Sequence, residues 1–233
     1  MRLLRLLALV VVATTFANAQ QPGYILDIGH SFVRGQVPHQ AADFPNIPAG
    51  NWMNYGFDSN SCASITLYLP AILNHLPHLP TVVWIQLGTT DAEWHGPFGQ
   101  KTNTPAPVFM QCLTNFINYI QGWCAQHGCP NVTFIVTNTP AFSIMTLLPP
   151  ALYDDTRPFV EAYNQAEADP NTGLQAMYPG VVFNPDIWTL TASPSGWANP
   201  TYIQYIDPSN AGWQLIDSVA QCLLYQLDGA IPC

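Results

Sequence analysis

The run Asp27-Ile-Gly-His-Ser-Phe-Val-Arg-Gly35 sets one hydroxyl, Ser31, directly behind a short apolar stretch. A serine so placed is read in two ways. It attacks an acyl carbon if a base takes its proton, or it caps a helix that starts there. Asp207, in Tyr202-Ile-Gln-Tyr-Ile-Asp-Pro-Ser-Asn-Ala-Gly-Trp213, is likewise either an acceptor for the Ser31 proton or a cap for the last helix. His30 and His95 are the histidines nearest the same region, and His95 is a candidate replacement base as well as a solvated loop residue. Asp91 reads as a loop-binding carboxylate. Asp207 together with Asp91 or Asp58 also forms a carboxylate set of the kind that cleaves glycosidic bonds when the two groups stand about 5–10 Å apart.

These residues need a scaffold, and the chain alternates strand-like and helix-like stretches. Tyr24 to Gly29, Thr81 to Leu87, Val132 to Thr137 and Val181 to Phe183 read as strands. Residues 63–76, 108–126, 157–168 and 211–227 have helical spacing, with Pro107 in a first-turn position. The Gly/Pro/Asn-rich segment through Gly56 reads as a loop. This alternation predicts a parallel sheet covered on both faces, with ligands at the carboxyl ends of its strands.

Arg2 and Arg5 before an apolar run, with Ala17-Asn18-Ala19 behind it, predict a signal peptide over 1–19 and a secreted domain over 20–233. No later stretch is long and apolar enough for a membrane span. Removing Arg2 and Arg5 takes the formal charge from −9 to −11 and leaves Arg34, Lys101 and Arg157 as the only strong bases, which argues against nucleic-acid or anionic-membrane partners. Charged residues make up 8% of the chain, so a neutral small-molecule or polysaccharide ligand suits it better. Trp52, Tyr55, Trp94, Trp188, Trp197 and Trp213 fall near the expected cleft, and Trp94 and Trp197 are singled out as sugar-stacking candidates. Six cysteines suggest three disulfides whose connectivity the sequence leaves open. Cys124 and Cys129, across a short loop, are the simplest pair, and Cys222 with Cys233 would tie down the C-terminus and leave Cys62 with Cys112. Asn131 begins a glycosylation signal if the source is a eukaryote. No metal or cofactor is expected, and a monomer is.

In order and spacing the motifs resemble those of the SGNH (GDSL-type) hydrolases. Gly29, Ser31 and Gly35 match the family's nucleophile block, with His30 in place of its aspartate. Asn54-Tyr-Gly-Phe-Asp-Ser59 resembles a second block, whose last residue gives a backbone N–H to the oxyanion; here that residue is Ser59, where a Cβ is less welcome if φ is positive. Trp84-Ile-Gln-Leu-Gly-Thr-Thr-Asp91 resembles a third, with Thr90 where an asparagine donor usually stands. In the last block Asp207 occupies the place of the catalytic histidine and Gln204 that of its aspartate. The resemblance implies a flavodoxin-like three-layer α/β/α sandwich with a mostly parallel sheet of about five strands. It also implies an ester hydrolase working through Ser31 with a nonstandard base. A carbohydrate- or surface-binding protein without catalysis, and a glycoside-type hydrolase built on Asp207, are the alternatives.

Overall fold

A computed structural model describes residues 23–93, 103–140, 157–193, 199, 201, 203–204 and 207–227. Five parallel strands form its centre: β1 (Tyr24–Gly29), β2 (Trp52–Gly56), β3 (Pro80–Gln86), β4 (Thr133–Thr137) and β5 (Val182–Phe183), in the order β2-β1-β3-β4-β5. The helices are α1 (Ser31–Asp43), α2 (Cys62–Asn74), α3 (Thr89–Glu93), α4 (Ala106–His127), α5 (Arg157–Ala168), α6 (Leu174–Met177), α7 (Ile187–Thr191) and α8 (Asn210–Leu227). A two-stranded antiparallel ribbon, β6 (Ile203–Gln204) with β7 (Asp207–Pro208), precedes α8.

The period-2 alternation of the strands decides which helix packs where. Leu26, Ile28, Val83, Ile85, Phe134 and Val136 point to one face and join Ile65 and Leu69 of α2, Phe116 and Ile117 of α4 and Val160 of α5. Ile25, Val82, Trp84 and Ile135 point to the other and meet Phe32 of α1 and Trp213, Ile216 and Leu224 of α8. Both faces are thus covered, which gives the three-layer α/β/α sandwich and the parallel sheet expected from the sequence. Truncating a fully buried ring such as Phe116 should cost about 3–5 kcal/mol.

The segment read as loop through Gly56 instead contains α1 and β2. Helix α1 carries Gly35 and Pro38 and lacks a clear apolar stripe, so its pattern is obscured. Its own buried residues include Gln36 and Gln40 beside Phe32 and Val33, and polar partners in the sheet satisfy the two amides. Edge strand β2 has a single fully buried side chain, Met53, and is held by its ladder with β1.

The cysteines follow the expected pairing in part. Cys62, first residue of α2, is bonded to Cys112 of α4, and Cys222 is disulfide-bonded. Its expected partner Cys233 lies outside the described residues. Cys124 and Cys129 are free thiols, contrary to the expected third pair. They sit in hydrogen-bonding contact, and burial pushes the Cys124 thiol up. Gly128 at φ +94 turns the chain between them.

Candidate functional site

Ser31 opens α1 at the carboxyl end of β1, with strands on either side. Its helix is capped by the preceding residue. His30 Nδ1 accepts a hydrogen bond from Phe32 N–H at 3.3 Å, while the His30 N–H donates to Gln86 O at 3.2 Å. The side chain is 2% exposed, and burial lowers its pKa to about 3. The ring is therefore neutral, and with Nδ1 accepting, Nε2 carries the proton. Consequently Ser31 is not the cap. Its hydroxyl is half-buried and makes no hydrogen bond among the described residues. The first-turn N–H groups beside it favour developing negative charge.

The ends of β2 and β3 close on this junction. Phe57 N–H donates to Gly29 O at 2.9 Å, and Arg34 of α1 pairs with Asp58. Gly56 approaches α1 so closely that a Cβ on it would meet Arg34 N at 2.8 Å. The loop so held contains Ser59 at φ +56, the one non-glycine residue with positive φ among the described residues. A left-handed conformation at a residue with a Cβ is costly and persists only where the surroundings fix it. On the other side, Gly88 at φ +112 turns β3 into α3, and its open face lies against Thr139. Thr90 follows, half-buried and without a hydrogen bond among the described residues. Ser31, Ser59 and Thr90 thus stand at the carboxyl ends of three neighbouring strands.

Asp91 has another occupation. Its Oδ2 accepts Cys62 N–H at 2.9 Å at the start of α2, and the carboxyl is 2% exposed. Burial raises its pKa to about 6 against the pull of that N–H. Asp58 is tied to Arg34 in an exposed ion pair. Two carboxylates considered for an acidic pair therefore have structural partners.

Asp207 stands opposite Gln204 in the β6–β7 ladder. The cap of α8 is Ser209, whose Oγ accepts Gly212 N–H at 3.1 Å. Trp213, in the first turn of α8, reaches back to α1 and packs against Phe32 and His39. Trp94, His95 and Trp197 lie outside the described residues, as does the side chain of Asp207.

Beneath Ser31 runs a buried polar chain that sequence reading missed. Strand alternation turns Asp27 and Gln86 toward α1. Gln86 Nε2 donates to Asp27 Oδ1 at 3.0 Å and to Gln36 Oε1 at 2.7 Å, and Gln36 donates to Asp217 of α8. Gln40 donates to Asp27 Oδ2 at 3.1 Å and exchanges hydrogen bonds with Asn54 of β2. Burial pushes Asp27 up to about 8, and it does the same to Asp217, which shares a hydrogen bond with Asp43. The signal was present as lone polar residues inside apolar strand runs and a Gln-x-x-x-Gln spacing on α1.

No family model and no curated protein matches the chain in sequence. Its architecture does match solved structures. A GDSL-like lipase from Bacteroides thetaiotaomicron superposes with a TM-score of 0.65 at 14% identity, covering 92% of this chain and 96% of that one. An α/β hydrolase enzyme from the metagenome of Lake Arreo gives 0.54 at 14% identity, over 91% and 97%. A member of the lipolytic G-D-S-L family from Veillonella parvula gives 0.51 at 16% identity, over 86% and 96%. The fold is that of the SGNH (GDSL-type) hydrolases.

Proposed function

We propose that this chain is a secreted serine ester hydrolase of reduced power that removes acyl groups from carbohydrate. The backbone of Ser59 is the observation that supports it. The left-handed conformation that a glycine would hold without cost is retained at φ +56 by a residue that pays for it, beside the first turn that bears Ser31. Keeping that geometry is explicable if the Ser59 N–H still meets an oxyanion. The unengaged hydroxyls of Ser31 and Thr90 fit the same reading, as nucleophile and second donor.

In this mechanism the Asp207 carboxylate takes the Ser31 proton as the hydroxyl attacks the acyl carbon. The oxyanion is met by the Ser59 N–H and Thr90 hydroxyl. As it collapses, the ester bond breaks and the sugar oxygen leaves with the proton returned by Asp207. Water, deprotonated by the same carboxylate, then hydrolyses the acyl-serine to free acid and Ser31. A carboxylate is a weaker base than imidazole, so turnover is slow. The Cys62–Cys112 disulfide supports an oxidising compartment, and the chain's few cations favour a neutral sugar over an anionic substrate.

Hydrolysis of p-nitrophenyl acetate by the mature protein tests the reading. Turnover should vanish in Ser31→Ala, and a fluorophosphonate should label Ser31. Turnover that survives Ser31→Ala would reject the role given to Ser31.

A further inference from the structure

We infer that a groove at the carboxyl ends of β4 and β5 is a subsite for neutral sugar rings, separate from the Ser31 junction. The groove has a volume of about 490 Å³, within the roughly 300–1,000 Å³ usual for small-molecule sites. Trp188 forms one wall. Its half-buried ring packs against Ile203 and the α4 side of the core, so it is held in place. Its backbone N–H donates to Asn138 Oδ1 at 3.1 Å, while its indole N–H has no hydrogen bond among the described residues. A fixed indole that lines the groove, with no hydrogen bond on its N–H among the described residues, suits the apolar side of a pyranose with a hydroxyl at its rim.

The remaining polar atoms give the same answer. Asn138 Nδ2 donates to Asp186 Oδ1 at 3.2 Å, Asp186 Oδ1 also accepts Thr189 N–H at 3.0 Å, and the Thr189 hydroxyl bonds the same carboxylate. Asn184 spends its amide N–H groups on Val136 O and Glu167 Oε2, which leaves its carbonyl oxygen as a free acceptor. Glu161 keeps one oxygen for Arg157, at 2.6 Å, and Gln165 is exposed with an uncommitted amide. The set is rich in acceptors and holds two donors, and the Arg157–Glu161 pair offsets part of its negative charge. Hydroxyl groups donate and accept at once, so they satisfy this mixture; a carboxylate or phosphate would face Asp186 and Glu161.

Position fits a flanking site. β4 and β5 lie two and three strands from β1 in the sheet, which is roughly 10–14 Å at the usual spacing. A sugar chain whose acyl group lies at Ser31 would set a neighbouring ring on Trp188. The inference rests on the proposed function for its substrate class, but not on catalysis.

The experiment titrates xylohexaose, cellohexaose and N-acetylchitohexaose into the Ser31→Ala protein, read by tryptophan fluorescence and calorimetry. At least one should bind at millimolar concentration or below. Trp188→Ala should weaken that binding about ten-fold or more and Trp188→Phe much less, in line with stacking on an aromatic face. Gln165→Ala, an exposed site with no packing role, should weaken it several-fold and guards against an unfolded Trp188→Ala. Absence of binding by all three sugars overturns the subsite, and so does binding that both Gln165→Ala and a folded Trp188→Ala leave unchanged. Loss of p-nitrophenyl acetate turnover in the parent protein would overturn only the esterase reading.

Discussion

Trp213 stands edge-on to Phe32, ring centroids 5.8 Å apart and planes at 84°, and this contact ties the last helix of the sheet to the first. Phe32 follows Ser31 directly, and Trp213 lies six residues beyond Asp207. The contact needs Gly35, where a Cβ would come within 2.8 Å of Trp213 Cζ2. Gly35→Ala should therefore push the indole or α1 aside, at a cost of about 1–3 kcal/mol. Urea unfolding would measure that loss. Aryl-ester turnover should fall further than stability alone explains, because the two junctions separate.

Ser59 offers a cleaner separation of stability from chemistry. Replacing it with glycine removes the Cβ from a residue at φ +56 but keeps the backbone N–H. Ser59→Gly should leave stability unchanged or raise it by up to about 1 kcal/mol, and turnover should be kept or increased. Ser59→Val should lower both, since a β-branched side chain tolerates that conformation poorly. Chemical denaturation and p-nitrophenyl acetate kinetics on the three proteins decide the matter.

Stability should fall as pH rises through the neutral range. Burial lifts Asp27, Asp217 and Glu167 to about 8 from ordinary values of 3.8, 3.8 and 4.5. Between those limits the folded protein keeps protons that the unfolded chain has released, so raising pH favours unfolding. His30 acts in the opposite sense, but only between about 3 and 6.5. The window from pH 6.5 to 8 therefore belongs to the carboxyls, and the melting temperature should drop across it. Asp27→Asn should remove about a third of that slope, one of the three groups being gone. A melting temperature that rises from pH 6.5 to 8 would contradict these protonation states.

The order of strands and helices was legible because Val82 to Ile85 and Phe134 to Val136 are unbroken apolar runs, and α4 and α8 have clear apolar stripes. α1 and β2 were not, since both are held by polar contacts across the sheet. Gln36, Gln40 and Asn54 owe their places to Asp27, Asp217 and Gln86, which are distant in sequence. At the site, the serine and the positive φ of its loop could be anticipated from motif spacing. The cap could not. Which ring nitrogen faces the Phe32 N–H, and the burial that holds His30 neutral, are properties of the packed sheet.

Cys124 and Cys129 test the covalent frame. Both are thiols in contact across the αL turn at Gly128, whereas Cys62–Cys112 and the bond to Cys222 are closed. Under denaturing, non-reducing conditions, two thiols per chain should react with Ellman's reagent. The native protein should react more slowly, because the Cys124 sulfur is buried and its pKa raised. No reactive thiol after unfolding would mean that the third disulfide has formed.

An imidazole can be set at position 207. Gln204 and Asp207 are register partners in an antiparallel ladder, a relationship that places the two positions side by side on one face. An aspartate at 204 would then orient a histidine at 207, as an acid orients the base in a serine triad. Gln204→Asp with Asp207→His should raise kcat/KM for p-nitrophenyl acetate by about 10²-fold or more, the usual worth of a positioned general base. The pH–rate profile should move with it. A carboxylate base stays active well below pH 6, whereas the double variant should lose activity as its histidine protonates near 6.5. Asp207→His alone should gain less, since nothing would hold the ring's tautomer. If the double variant is no faster than the parent and its profile does not shift, Asp207 is not the residue that takes the Ser31 proton.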